Sequence, residues 1–127
     1  MLVEIDFDST EALYMQLHNQ IIIQIAQSVL HEGDQLPSVR SMADEIGINM
    51  HTVNKAYALL RDEGFLHLDQ RRGAVVAFDE AKRRDLESIR EELNFIAAQA
   101  VLKGIDRKEM HDLIDEIYEK YEMRRQG

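Results

Sequence analysis

Cysteine is absent from the 127 residues, which excludes disulfides, thiolate chemistry and zinc sites built on cysteine, and which suits a reducing cytosol. Only one proline is present and no stretch has low complexity, so disorder is not expected. The first ten residues lack a cationic region before an apolar core, so no signal peptide is predicted. No apolar run approaches the length of a membrane span. We therefore expect a soluble, cytoplasmic protein with no membrane association.

Positive charge is also scarce. The chain has 15 Lys and Arg against 24 Asp and Glu, which gives a formal net charge of −9. Residues 1–78 carry only five of these cations, against eleven acids: Arg40, Lys55, Arg61, Arg71 and Arg72. A negative net charge does not exclude binding to nucleic acid, because the distribution of charge matters more than its sum. The charges therefore permit DNA binding but do not by themselves indicate it.

Catalytic and metal-binding patterns are missing as well. We find no phosphate-binding loop and no Ser/His/Asp arrangement, so the sequence predicts neither an enzyme nor a cofactor. The histidines have no short ligand spacing among themselves. A metal sensor stays the minor alternative for these five residues: His18, His31, His51, His67 and His111.

Helical periodicity is the first positive signal. A helix is predicted from a cap at Ser9-Thr10 to about Leu30, because apolar residues recur at every fourth position. That stripe is Leu13, Leu17, Ile21, Ile25 and Val29. Gly33-Asp34 then interrupts the pattern.

Two shorter helices follow, separated by a turn that contains glycine. The first begins after the cap Ser38 and ends at Gly47. The second begins after the cap Asn49 and ends at Gly64. Their inward residues are Val39, Met42, Ala43 and Ile46, then Val53, Ala56, Tyr57 and Leu60. Two short helices joined in this way are typical of a helix-turn-helix.

The period changes after Gly64. Two short strands are predicted at residues 65–68 and 74–78. They flank a turn, residues 69–73, that has Arg71 and Arg72 at its tip. A helix-turn-helix followed by a basic hairpin is a winged helix, which we assign to residues 1–78.

Residues 79–127 predict two further helices, one capped by Asp79 and running to about Lys103, the other capped by Asp106. A two-helix hairpin of this size cannot bury both apolar stripes alone, so a stripe packs on the winged domain or on a second copy. We favour a homodimer. The predicted dimerisation residues are Leu86, Ile89, Leu93, Ile96, Ala100, Leu113, Ile117 and Tyr121. The fold class is thus mainly α with a small β-wing, followed by a two-helix dimerisation hairpin.

The chain resembles the GntR family of bacterial regulators, and its YtrA subfamily in particular. The resemblance rests on residues 33–40, Met42-Ala43, Gly47, Asn49, Thr52-Val53, Lys55-Ala56-Tyr57, Leu60, Glu63-Gly64 and Arg72-Gly73. It implies a homodimer that binds a palindromic operator in double-stranded DNA, commonly as a repressor and often of transporter genes. The resemblance does not identify an effector ligand.

The residues expected to contact DNA lie at the start of each helix of the motif and at the wing. They are Arg40, Asn49, Met50, His51, Thr52, Asn54, Lys55, Arg71, Arg72 and Gly73. Several have a second interpretation. Arg40 is placed to pair with Asp44, Asn49 to act only as a cap, and the wing arginines to form a solvated turn. Tyr57 is assigned to the core, with a phosphate contact as the alternative.

The sequence departs from the family pattern in two places, the start of the third helix and the wing. Met50 and His51 stand where relatives have other residues, and the wing continues Ala74-Val75 after Gly73. These departures affect the expected operator sequence. The alternative function is a winged-helix adaptor that binds proteins and has no specific affinity for DNA, which an acidic chain also suits.

Overall fold

A computed structural model describes residues 1–82 and 84–126, with side chains described as far as residue 123. The chain divides into two compact units, Met1–Arg83 and Arg84–Gly127. Within the described residues the elements are α1 (Leu13–Ala26), α2 (Val39–Ile46), α3 (Met50–Asp62), β1 (Leu66–Asp69), β2 (Gly73–Val76), α4 (Leu86–Leu102) and α5 (Arg107–Gln126). The expected class, mainly α with a small β-wing, is confirmed.

Helix α1 is shorter than the sequence predicts at both ends. It begins after Ala12, and the Ser9 hydroxyl instead accepts a hydrogen bond from the Glu11 N–H in a preceding turn. It ends at Ala26 because Ser28 adopts a positive φ of 60°, which a helix cannot contain. Val29 lies beyond the helix and is 50% exposed, so its assignment to the apolar stripe is wrong.

The core of the first unit forms where α1, α2, α3 and the wing meet. Burial of these side chains is the main source of stability. The core residues are Leu17, Ile21, Ile25, Leu30, Leu36, Met42, Ala43, Val53, Ala56, Tyr57, Leu60, Leu66, Ala74 and Val76.

Two glycines end the short helices as predicted. Gly47 follows α2 with a φ of 73°. After α3, the Gly64 N–H donates to the Arg61 carbonyl and the Phe65 N–H to the Leu60 carbonyl. That pair of bonds is the Schellman arrangement, which requires a left-handed residue and explains the φ of 90° at Gly64.

The wing is an antiparallel hairpin with Leu66 opposite Val76 and Asp69 opposite Gly73. The segment before α2 pairs with its second strand, since Gln35 bridges Val75 and the Leu36 N–H donates to the Ala74 carbonyl at 2.8 Å. This pairing joins the wing to the start of α2. Sequence periodicity did not predict it, because the paired stretch is too short to show alternation.

The second unit is a helical hairpin whose first helix starts later than predicted. Asp79 accepts from the Ala81 N–H in an isolated turn, while Asp85 caps α4 through the Ser88 N–H. The predicted cap at Asp106 is confirmed: its carboxylate accepts from the Glu109 N–H, and the Glu109 carboxylate accepts from the Asp106 N–H. Within the described residues, no helix has the length and apolar character needed to cross a membrane.

Candidate nucleic-acid interface

Helix α3 has one buried face and one polar face. Val53, Ala56 and Leu60 lie in the core, whereas His51, Asn54 and Lys55 are exposed. Met50 is also exposed and Thr52 is half-buried. The first two turns of α3 therefore present His51, Asn54 and Lys55 to solvent, and the N-terminal part of a recognition helix is the part that reaches base edges.

Asn49 caps this helix. Its Oδ1 accepts a hydrogen bond of 2.7 Å from the His51 N–H. The capping interpretation is therefore confirmed for the oxygen of the side chain. The NH2 group of the same exposed side chain takes no part in that bond.

Tyr57 lies in the core, which settles the choice left open by the sequence. Its ring is buried, and its hydroxyl donates a 2.8 Å hydrogen bond to the carbonyl of Pro37. Burial, and after it the charge of Glu45, raises the pKa of the Tyr57 hydroxyl well above its ordinary value. The phenol thus ties α3 to the residue that precedes the cap of α2.

Lys55 has an aromatic neighbour that sequence spacing gave no reason to expect. Its Nζ lies 4.0 Å from the centre of the Tyr14 ring, a cation–π contact between α3 and the first turn of α1. The Lys55 ammonium has three N–H donors, and the contact with the ring face does not use all of them. Tyr14 therefore restricts where the Lys55 charge sits on the surface.

Arg40 lies in the first turn of α2 and is exposed. The Ser38 hydroxyl caps that helix by accepting from the Ser41 N–H at 3.1 Å. Among the described residues, Arg40 forms no ion pair with Asp44. Its guanidinium is oriented to solvent and keeps its donor groups available for phosphate or guanine.

Asp69, which the sequence analysis missed, organises the tip of the wing. Its Oδ1 accepts hydrogen bonds from the backbone N–H of Arg71 at 2.6 Å and of Arg72 at 3.1 Å. These bonds, the first more than the second, hold the pKa of the Asp69 carboxyl below its usual value. Gly73 follows with a positive φ of 75°. An acidic residue thus shapes a basic turn by satisfying backbone donors.

The two wing arginines differ in their surroundings. The Nη2 of Arg72 donates to the carbonyl of Gly33 at 3.2 Å, so this side chain is held against the loop before α2. Both arginines are exposed. The predicted contact of a wing arginine with DNA is therefore simpler for Arg71, because Arg72 would first have to break its hydrogen bond to Gly33.

His18 joins α1 to the end of α3. Its Nε2 contacts the Glu63 carboxylate, and its Nδ1 lies 2.8 Å from Oδ1 of Asn19. Glu63 caps α3, so this contact fixes the position of the C-terminal end of the helix. In the part of the chain that the structure describes, no three histidine or acidic side chains converge on a point where a metal ion could bind.

The predicted dimerisation residues lie in the second unit. Six of them are exposed, Tyr121 is half-buried and Ala100 is buried; the exposed ones are Leu86, Ile89, Leu93, Ile96, Leu113 and Ile117. An open, mainly apolar groove of about 680 Å³ lies between the two helices, lined by Leu93, Ala97, Ala100, Met110 and Ile114 among others. Two further apolar side chains, Phe95 and Leu102, are 67% and 88% exposed, and the periodicity of the sequence did not assign them to the dimer surface.

Comparison with known proteins agrees with this architecture. The sequence model of a family described as "Bacterial regulatory proteins, gntR family" matches residues 13–76 of this chain. The HTH-type transcriptional repressor YtrA of Bacillus subtilis is 32% identical over 120 residues, covering 91% of this chain and 92% of YtrA.

Two solved structures have a similar fold. A transcriptional antiterminator from Listeria monocytogenes has a TM-score of 0.83 and 28% identity, covering 95% of this chain and 92% of that one. YtrA from Sulfolobus acidocaldarius, a GntR-family transcription factor, has a TM-score of 0.65 and 38% identity, with coverages of 80% and 99%. The relatives of the present chain and the structures that share its fold are transcriptional regulators and not enzymes. The chain belongs to the GntR family of DNA-binding regulators.

Proposed function

We propose that the protein is a homodimeric repressor that binds a palindromic operator through the first turn of α3 and the wing. The observation that carries this proposal is the distribution of acids. In a chain of net charge −9, residues 46–61 contain no Asp or Glu, and neither do residues 35–43 or 70–78. These stretches include the exposed residues of the first two turns of α3, the start of α2 and the wing after Asp69, whose carboxylate is engaged by backbone N–H groups. Keeping carboxylates out of them removes repulsion from phosphate.

The positions of the exposed side chains support a set of proposed DNA contacts. Arg40 and Lys55 are exposed cations at the start of α2 and on α3, suited to phosphate or, for Arg40, to guanine. We infer that His51 and Thr52 contact base edges from the first turn of α3. Asn49, Met50 and Asn54 border them, and Arg71, Arg72 and Gly73 approach the minor groove.

Dimerisation would position two such surfaces on one duplex. The hairpin of α4 and α5 exposes large apolar side chains that a monomer in water gains from burying. A second copy, related by a two-fold axis, would present two α3 helices about 34 Å apart, one turn of DNA. Control of transporter genes is proposed from the family resemblance, and action in the cytoplasm from the absence of cysteine and of a signal peptide in the sequence.

Footprinting on the DNA upstream of the chain's own gene tests this proposal. We expect a protected region with two symmetric halves, and light scattering of the complex that gives two chains per duplex. The variant H51A should lose the footprint while remaining dimeric. K108A is the matched control, because Lys108 is an exposed residue of α5 that pairs with Asp112. A single, asymmetric half-site bound by one chain would contradict the proposal.

A further inference from the structure

An extended segment at the N-terminus lies along α1. We call residues 2–6 the N-terminal strap. Three glutamines, four residues apart on α1, hold it. Gln24 Nε2 donates to the Leu2 carbonyl at 2.8 Å, and Gln20 Oε1 accepts from the Glu4 N–H at 3.0 Å. Gln16 both accepts from the Asp6 N–H and donates to the Asp6 carbonyl, at 2.9 and 3.0 Å.

The spacing of these bonds shows that the strap is extended. Four residues of an α-helix advance about 6.0 Å, and two residues of a β-strand about 6.6 Å. Every second residue of the strap therefore meets every fourth residue of α1. In a strand, alternate residues direct their N–H and C=O groups to opposite sides. The backbone groups of Val3 and Ile5 accordingly face away from the glutamines.

The outer edge of the strap has no backbone partner. In the stretch that the structure describes, no hydrogen bond reaches the N–H or C=O of Val3 or Ile5. The side chain of Val3 packs against the core, which keeps this edge in place. Leu2 and Phe7 are 75% and 61% exposed at its two ends. A fixed, unpaired strand edge is a template for an added strand.

Charge indicates what kind of strand would fit. Residues 1–39 contain six acids and neither Lys nor Arg. Glu4 and Asp6 lie on the strap, and α1 beside it has no Lys, Arg, Asp or Glu. Two straps would repel each other, so pairing with a second copy is disfavoured. A strand that carries Lys or Arg would be attracted.

We propose that the N-terminal strap is a β-augmentation site for an extended basic segment of another protein. The incoming backbone pairs with Val3 and Ile5, its cations face Glu4 and Asp6, and its apolar side chains cover Leu2 or Phe7. This interaction goes beyond operator binding and uses no residue assigned to the DNA surface. It gives the regulator a contact through which a partner protein is recruited or sensed.

A labelled synthetic peptide of alternating lysine and valine tests the site in the full chain. We expect saturable binding by fluorescence anisotropy at physiological salt, and no binding of the glutamate–valine analogue. I5P removes an outward N–H while leaving the glutamine bonds, so we expect its affinity to fall about fivefold, the equivalent of one hydrogen bond. I5V keeps the N–H and should bind like the natural chain.

Hydrogen exchange provides a second measurement that does not depend on a variant. The amides of Val3 and Ile5 should exchange rapidly in the free protein and slow on addition of the peptide. Equal affinity of I5P and I5V, or no saturable binding of the lysine peptide, would overturn the proposal. Slow exchange of both amides before peptide is added would also overturn it, because a second copy would then already cover the edge.

Discussion

The hydroxyl of Tyr57 on α3 donates a 2.8 Å hydrogen bond to the carbonyl of Pro37, the residue before the cap of α2. This bond links the two helices of the DNA-binding motif at a point away from the turn that joins them. The ring is buried and the bond is part of the core, so the angle between α2 and α3 depends on a polar contact as well as on apolar packing.

Tyr57→Phe removes that hydroxyl and leaves the Pro37 carbonyl without its partner. We expect the free energy of unfolding to fall by about 1 kcal/mol, the low end for a partly buried acceptor that water can reach. Urea unfolding measures it. Tyr118→Phe on exposed α5 is the control and should change nothing. An equal effect of both substitutions would contradict the role of the bond.

Tyr14 should influence DNA affinity through Lys55. Removing the ring with Tyr14→Leu frees the ammonium, and we expect operator affinity to fall about two- to fivefold, the range of an exposed cation–π contact. Tyr14→Phe keeps the ring and should bind nearly normally. In a Lys55→Met background the two Tyr14 variants should bind alike. If Tyr14→Leu still weakens binding there, the ring acts independently of Lys55.

Asp69 should make the wing sensitive to acid. The pKa of this carboxyl is lowered in the folded protein, so the stability it contributes is complete above its unfolded pKa and is lost as pH falls through the folded value. The difference in urea midpoint between the natural chain and Asp69→Ala should therefore shrink from about pH 6 to about pH 3. Asp44→Ala, at an exposed position of α2, is the control. A difference that stays constant over this range would contradict the capping role.

Gly64 combines a left-handed backbone with close neighbours. A Cβ there would lie 3.0 Å from the Cβ of Lys82 and 3.2 Å from that of Asp79. Gly33 has a nearly identical φ, 94° against 90°, with nothing within 4 Å of its Cβ position. We expect Gly33→Ala to cost about 1 kcal/mol for the backbone alone and Gly64→Ala about 1–3 kcal/mol more for the crowding. Equal urea midpoints of the two variants would rule out the steric part.

Local signals explain what the sequence predicted well. Ser38, Asn49 and Asp106 cap helices, and Gly47 and Gly64 end them, because these effects depend on residues within one turn. Periodicity likewise placed Leu17, Ile21 and Val53 in the core.

The features that were missed depend on contacts distant in sequence or on competing local choices. Ser28 ended α1 without a glycine, and Asp85 capped α4 although Asp79 was an equally good cap by residue type. The hydrogen bond from Arg72 to the Gly33 carbonyl spans 39 positions, so no local pattern encodes it. The DNA contacts themselves remain predictions.

The salt dependence of binding to the chain's own upstream promoter, with random duplex as control, tests the central claim most directly. We predict tight binding to the promoter alone, with affinity falling linearly on a log–log scale with a slope of about −5 or steeper, since each of about six phosphate contacts contributes about −0.9. Equal, weak binding to both duplexes, or no binding at any salt, would contradict a sequence-specific operator and favour a protein-binding adaptor instead.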